Sequence, residues 1–162
     1  LADAGGWQRH ALTAVGVGNL IGTYLAGQSA RYFPKRYGLS AIYFGRAVLF
    51  AAFLVLPMTP LTVIVLSALL GLLWLSTVPL TSGLVGTFFG PQWMTMLYGI
   101  VFLSHQVGSF LGVWTAGLLF DATKSYDLMW WISIALGIFA GLVHLPIRER
   151  AVNRPAEANS AA

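Results

Sequence analysis

The chain has 162 residues, of which 57% are hydrophobic and only 9% are charged, and its mean hydropathy is +0.76. These values exclude an ordinary water-soluble domain, in which about 25% of residues are charged. The absence of cysteine excludes disulfide and thiolate chemistry. The net charge of +4 does not indicate a nucleic-acid partner, because the basic residues cluster at 31–36 and 148–154, beside apolar segments.

The apolar sequence is divided by charges and helix breakers into five segments, each near the roughly 20 residues that a membrane crossing needs. In chain order, the predicted helices are about 11–30, 38–56, 61–85, 93–120 and 128–145. Residues 47–120 contain no Asp, Glu, Lys or Arg, which indicates about three successive crossings. The predicted fold is an all-α membrane protein, a polytopic helical bundle over residues 1–147, followed by a disordered cytoplasmic tail over 148–162.

The distribution of basic residues predicts the orientation of this bundle. Six Lys and Arg residues fall in the loops and tail assigned to one side, against Arg9 and Lys124 on the other. The positive-inside rule therefore places the C-terminus in the cytoplasm and the chain in the plasma (inner) membrane as a multi-pass protein. The N-terminus then begins outside without an export signal, so we expect further helices of the same protein to precede Leu1.

Small residues at four-residue spacing predict close contacts between these helices, because they let backbones approach in a bilayer. The first helix carries Gly18 and Gly22, the fourth carries Gly108 and Gly112, and the fifth carries Gly137 and Gly141. Such stripes predict tight packing, with lipid as the surrounding partner, and carry no information about function.

Polar groups at membrane depth are the candidate functional residues, because they are costly there and usually face a partner or an aqueous pathway. Several are spaced i, i+4 and so share a helix face. The candidates are Asn19, Thr23, Trp74, Thr77, Thr81, His105, Gln106 and Ser109. The competing interpretation is structural: hydroxyls and amides also bond neighbouring helices or their own backbone.

Two histidines in the predicted helices could each have several roles. His105 lies near the predicted midplane, where an imidazole can relay protons, bind a carboxylate or simply pack in neutral form. His144 lies near the cytoplasmic end of the fifth helix, where snorkelling to the interface is the predicted role.

Arg46 lies inside the second predicted helix, and an unpaired guanidinium there is costly. The sequence offers no acidic residue at comparable depth. Three partners are open to it: a helix outside these 162 residues, lipid headgroups or an anionic substrate.

Four stretches carry a resemblance to a known family. They are GVGNLIGTYLAG at 16–27, RYFPKR at 31–36, GLLWLSTVPLTSGLVG at 71–86 and YGIVFLSHQVGSFLGVWTAGLLFDATKSYD at 98–127. In this order they resemble the C-terminal half of bacterial major facilitator superfamily transporters related to the monocarboxylate porters, from helix eight to helix twelve. In one departure from the family's loop pattern, Ala26 and Gly27 stand where an Asp is expected.

The resemblance implies two six-helix bundles around a central cavity and transport by alternating access, either proton-coupled or by exchange. It implies a small organic anion, monocarboxylate-like, as substrate. It also implies that the first, third and fourth helices here line the cavity while the second and fifth are peripheral.

Other functional classes fit less well. An intramembrane enzyme would need a nucleophile motif, but Leu80 replaces the first glycine of a G-x-S-G pattern at Ser82 and Gly83. We therefore expect no enzymatic activity, no cofactor and no metal site. A non-transporting integral membrane scaffold or subunit is the remaining alternative.

Overall fold

The computed structural model describes residues 4–150, which fold as helices joined by short connections, with no strand in this range. The helices are α1 (Ala4–Ser29), α2 (Lys35–Val55), α3 (Pro60–Trp74), α4 (Thr77–Phe89), α5 (Pro91–Thr123) and α6 (Asp127–His144). The described part of the chain is therefore all-α, as the sequence predicted. The predicted tail beyond residue 150 lies outside the described residues.

Proline and its neighbours start two of these helices. Pro60 is at the first position of α3, and the Thr59 hydroxyl accepts a hydrogen bond from the backbone N–H of Thr62, 3.2 Å away. Pro91 opens α5 after Gly90, whose φ of 79° is readily accessible to glycine. Because proline has no N–H to leave unpaired, it is well suited to both positions.

Four helical spans within residues 4–150 are long and apolar enough to cross a membrane. They are Lys35–Val55, Pro60–Phe89, Pro91–Thr123 and Asp127–His144. A membrane-embedded helical protein is thus supported by length and composition. The first predicted crossing, 11–30, overlaps α1, which is not among these four, and it stays a prediction.

The third predicted segment differs from the structure. A single helix was expected over 61–85, but α3 ends at Trp74 and α4 begins at Thr77, so the span Pro60–Phe89 is a broken helix. The region contains no charged residue, and the reason for the break is local backbone chemistry, described below. α1 also begins earlier than predicted, at Ala4, because polar side chains near residue 9 do not prevent a helix from forming.

Two of the three glycine stripes mediate close helix contacts. A Cβ at Gly22 of α1 would collide with the Leu72 carbonyl of α3. In the same contact, a Cβ at Gly71 of α3 would collide with the backbone of Val15 in α1. On α6, a Cβ at Gly141 would lie 2.9 Å from the Phe44 ring of α2. The bundle is therefore built from two close helix pairs, α1 with α3 and α2 with α6.

The tightest part of the core joins these pairs. Leu39 of α2 and Leu80 of α4 are each 1% exposed, and Ala26 of α1 packs with them. The longest helix, α5, has no buried residue and touches the bundle mainly through α4. No described atom outside α5's own backbone lies within 4 Å of a Cβ built on Gly108 or Gly112.

The segment after α6 returns to the start of α2. The Glu149 carboxylate accepts a hydrogen bond from the Arg36 backbone N–H at 2.8 Å and lies 3.9 Å from the Lys35 ammonium. The Arg36 side chain donates to the Ile147 carbonyl at 2.9 Å. The basic loop at 31–36 and the segment 145–150 therefore lie at the same end of the bundle, as the charge pattern requires.

Candidate functional site

A cavity of about 440 Å³ lies between α2, α4, α5 and α6, next to the break between α3 and α4. Among the described residues, its wall is mostly aromatic and aliphatic, with hydroxyl and imidazole groups and no carboxylate. The lining residues are Tyr43, Trp74, Leu75, Thr77, Val78, Thr81, Tyr98, Val101, Phe102, Ser104, His105 and His144. Such a mixture is typical of small-molecule sites.

The helix break supplies one wall of this cavity, and Pro79 explains its position. In a continuous helix the N–H of residue 79 would bond to the Leu75 carbonyl, but proline has no N–H and its ring clashes with that carbonyl. The chain responds with a tighter turn in which the Val78 N–H donates to the Leu75 carbonyl at 3.0 Å. The interruption therefore falls at residues 75–76, three to four residues before the proline.

Breaking the helix deprives the carbonyls of Leu73 and Trp74 of their helical donors, the N–H groups of residues 77 and 78. The Arg46 guanidinium, from α2, occupies this position. Its Nη2 donates to the Leu73 carbonyl at 2.9 Å and also to the Trp74 carbonyl. The half-buried cation thus bonds the negative end of a helix, an arrangement that favours both the cation and the carbonyls.

Side chains of α1 and of the break itself satisfy other backbone groups at this point. The Asn19 side-chain oxygen accepts a hydrogen bond from the Leu75 N–H at 3.2 Å. Ser76, which is 4% exposed, donates to the Leu72 carbonyl. Asn19 and Arg46 therefore hold the break from opposite helices, which gives Asn19 a structural role rather than a place in the cavity wall.

Arg46 lies directly behind the cavity wall. Its guanidinium carbon is 5.5 Å from the ring centre of Tyr43 and 5.4 Å from that of Trp74, and both rings line the cavity. Its Nε is buried without a hydrogen-bond partner among the described residues. In residues 4–150 no carboxylate forms an ion pair with Arg46, so its positive charge is balanced only by carbonyl dipoles and aromatic faces.

The α5 wall carries His105. The ring of this exposed residue lies 6.2 Å from the Phe102 ring, and both face the cavity. The hydroxyl of the neighbouring lining residue Ser104 donates to the Ile100 carbonyl of its own helix at 3.0 Å. His105 is therefore the titratable group that α5 offers to a ligand together with the Tyr98 phenol.

The opposite wall carries His144 and Tyr43. Their rings stack with centres 5.1 Å apart and an interplanar angle of 28°. The Nδ1 of His144 lies 2.7 Å from the Ala140 carbonyl. This pair comes from α2 and α6, the two helices that the sequence resemblance places at the periphery.

The predicted site residues are thus divided by the structure. Four of them, Trp74, Thr77, Thr81 and His105, line one cavity. The other four lie outside its wall: Asn19 at the helix break, and Thr23, Gln106 and Ser109 elsewhere. Ser109 donates to the His105 carbonyl at 2.9 Å, which is the structural alternative that i, i+4 hydroxyls allow.

Sequence reasoning missed the lining residues Tyr43, Tyr98 and His144. Tyr43 lies one turn before Arg46 on the same helix. This spacing from an unpaired guanidinium was the signal in the sequence that could have identified Tyr43. His144 was assigned to snorkelling because it ends its helix, and nothing in the spacing indicates that α6 ends beside Tyr43.

Comparison with known proteins adds no relative: no family model, curated protein or solved structure matches this chain. The case for a function therefore depends on the geometry of the cavity and on the sequence resemblance.

Proposed function

We propose that this chain is part of a secondary active transporter of the major facilitator type, which moves a small monocarboxylate-like anion by alternating access. The observation that carries the proposal is the position of Arg46. A guanidinium with no carboxylate partner in residues 4–150 lies behind two aromatic rings of a cavity whose wall also lacks acidic groups. Such a site favours anions over cations.

The shape of the site also supports a small substrate. Hydroxyl and imidazole groups, among them those of Thr81, His105 and His144, are spaced around a wall that is mostly apolar. A carboxylate can bind the polar groups while a short alkyl chain contacts Val101 and Phe102. We propose coupling to protons or exchange of anions as the driving process.

The bundle is proposed to continue into preceding helices of the same protein, with α1 as a fifth crossing. Gly108 and Gly112 of α5, which no described residue packs against, support this proposal. A face of small residues in a membrane helix usually packs on another helix. We propose that the protein lies in the plasma (inner) membrane, with residues 31–36 and 145–150 on the cytoplasmic side.

Transport is tested with the intact protein reconstituted in proteoliposomes. Uptake of labelled lactate, pyruvate and oxalate is measured with and without an inward proton gradient, against empty liposomes. Uptake of at least one anion is expected. No uptake of any of the three by correctly folded protein would reject an organic-anion transporter and leave the scaffold alternative.

The site itself is tested by a matched pair of threonines on α4. Thr81 lines the cavity, whereas the Thr87 hydroxyl donates to the Gly83 carbonyl at 2.8 Å and lies outside it. Thr81→Val is expected to raise the KM for the transported anion several-fold, and Thr87→Val to leave it unchanged. Equal effects of the two substitutions would place the substrate elsewhere.

A further inference from the structure

The cavity is larger than a short anion requires. Its volume of about 440 Å³ lies within the range of about 300 to 1,000 Å³ that is typical of sites for drug-sized ligands. Such sites bury most of the surface of the ligand. An acid as short as lactate contacts only part of this wall, so the cavity has room for a larger apolar group on the same anion.

Two aromatic side chains on different helices are available to such a group. Trp74, at the end of α3, and Phe102, on α5, both line the cavity and are each about half exposed. The Arg46 guanidinium lies over the Trp74 ring, and no other aromatic ring among the described residues contacts this indole. The Phe102 ring contacts that of His105 but not that of Trp74. The two rings therefore face one cavity without filling the space between them.

Two hydroxyl groups of the wall are available to a carboxylate. The hydroxyls of Thr77 and Ser104 are already engaged, because they donate to backbone carbonyls. Those of Thr81 and Tyr98 form no hydrogen bond with any residue that the structure describes. A hydroxyl donates to a carboxylate oxygen, and the negative charge strengthens this bond.

The chain order of these residues places the hydroxyls and the rings at different levels of the cavity. α4 leads into α5 through the turn at Gly90, and the two helices pack together. Residues at a similar distance from this turn therefore lie at similar levels. Thr81 and Tyr98 are nearer to the turn, and Trp74 and Phe102 are farther from it. A ligand with an acidic end and an aromatic end matches this order.

We infer that the cavity binds an aryl carboxylate whose aromatic ring lies between Trp74 and Phe102. Its carboxylate accepts hydrogen bonds from the hydroxyls of Thr81 and Tyr98. This inference rests on the proposed anion transport and names the class of anion: an aryl ring takes the place of the short alkyl chain. Aromatic pairs attract each other beyond the effect of buried area, so the site selects a ring with a π-system and not only a bulky apolar group.

Three acids with the same head group test the ring site: lactate, 3-phenyllactate and 3-cyclohexyllactate. Their Kd values are measured by calorimetry on the intact wild-type protein in detergent, at one pH. 3-Phenyllactate is expected to bind at least about tenfold more tightly than lactate, because it buries the apolar surface of a ring. It is expected to bind about two- to tenfold more tightly than 3-cyclohexyllactate, whose ring is similar in size but saturated. Equal Kd values for lactate and 3-phenyllactate, or tightest binding of 3-cyclohexyllactate, would overturn the inference.

Two phenylalanines of α5 form a matched pair for locating the ring. Phe110, like Phe102, is exposed, but it lies outside the cavity wall and stacks on Trp114. Phe102→Leu is expected to raise the Kd for 3-phenyllactate several-fold and to change that for lactate little, whereas Phe110→Leu changes neither. Tyr98→Phe is expected to raise the Kd of all three acids by a similar factor, because it removes a donor to their shared carboxylate. Equal effects of the two leucine substitutions would contradict the ring site.

Uptake by proteoliposomes separates a failure of this inference from a failure of the proposed function. If lactate, pyruvate or oxalate is taken up but 3-phenyllactate binds no more tightly than lactate, the inference fails while transport stands. If no acid is taken up, the proposed function fails and the inference fails with it. Because the series of three acids uses the wild type, it decides the inference even where Phe102→Leu does not fold.

Discussion

The Arg46 guanidinium of α2 donates a hydrogen bond to the carbonyl oxygen of Leu73, 2.9 Å away at the end of α3. Together with its bond to the next carbonyl, this contact makes the side chain a cap for a helix that proline has interrupted. The same charge faces the cavity through two aromatic rings. One residue therefore links the helix break to the electrostatics of the site.

Removing this cap is expected to destabilise the bundle. Arg46→Met leaves the part-buried Leu73 carbonyl without this donor and the Trp74 carbonyl with only the long bond from the Thr77 hydroxyl at 3.5 Å, which costs about 1 kcal/mol in the free energy of unfolding. Arg46→Lys is expected to recover part of the loss, because an ammonium reaches one carbonyl but lacks the planar fork. Unfolding in detergent measures the effect, and Arg31→Met is the control, since Arg31 is exposed. Equal stability of the Met variants would contradict the capping role.

Asn19 and Arg46 are expected to be energetically coupled, because they hold the same break from different helices. Asn19→Ala alone frees the Leu75 N–H and lowers the free energy of unfolding by about 1 kcal/mol. Combined with Arg46→Met, its effect is expected to depart from additivity by about 0.5 kcal/mol or more. A double-mutant cycle gives this number. Strict additivity would mean that the two contacts act independently.

The contacts between paired helices could be predicted from the sequence, but the position of the helix break could be predicted only in part. Gly18 and Gly22 at four-residue spacing do mark the face on which α1 meets α3. Pro79 is visible in the sequence, but its effect appears up to four residues earlier, within a stretch that carries no charge. Hydropathy reports partition into lipid and is insensitive to a missing backbone donor.

The cavity could be predicted less well, because periodicity assigns residues to a helix face without saying which helix lies opposite. The i, i+4 spacing grouped His105 with Ser109, but only His105 lines the cavity. Tyr43 and His144 meet because α2 and α6 pack side by side with a particular offset along their axes. That offset depends on the fit of Gly141 against Phe44, which a single sequence does not reveal.

The segment after α6 is expected to stabilise the start of α2. The Glu149 carboxylate caps this helix through the Arg36 N–H, whereas its ion pair with Lys35 is long at 3.9 Å. Glu149→Ala is therefore expected to cost about 1 kcal/mol and Lys35→Ala less. Hydrogen exchange of the amides at 35–38 measures the change locally. Faster exchange in Lys35→Ala than in Glu149→Ala would contradict the cap.

Replacing Pro79 is expected to join α3 and α4. Pro79→Ala restores a backbone N–H for the Leu75 carbonyl and removes the ring that clashes with it. The chain has no cysteine, so spin labels can be placed at Leu61→Cys and Phe89→Cys, two exposed positions at the ends of the span. The distance between their Cα atoms is expected to lengthen toward about 42 Å, the length of a straight helix between them.

Joining the two helices is also expected to change the energetic effect of substituting Arg46. When the carbonyls of Leu73 and Trp74 regain helical donors, they no longer depend on the guanidinium. Arg46→Met is therefore expected to cost less in the Pro79→Ala background than in the wild type, as measured by unfolding in detergent. Anion uptake is expected to fall in Pro79→Ala, because Trp74 and Thr77 leave their places in the cavity wall. An unchanged label distance together with an unchanged cost of Arg46→Met would show that Pro79 does not cause the break.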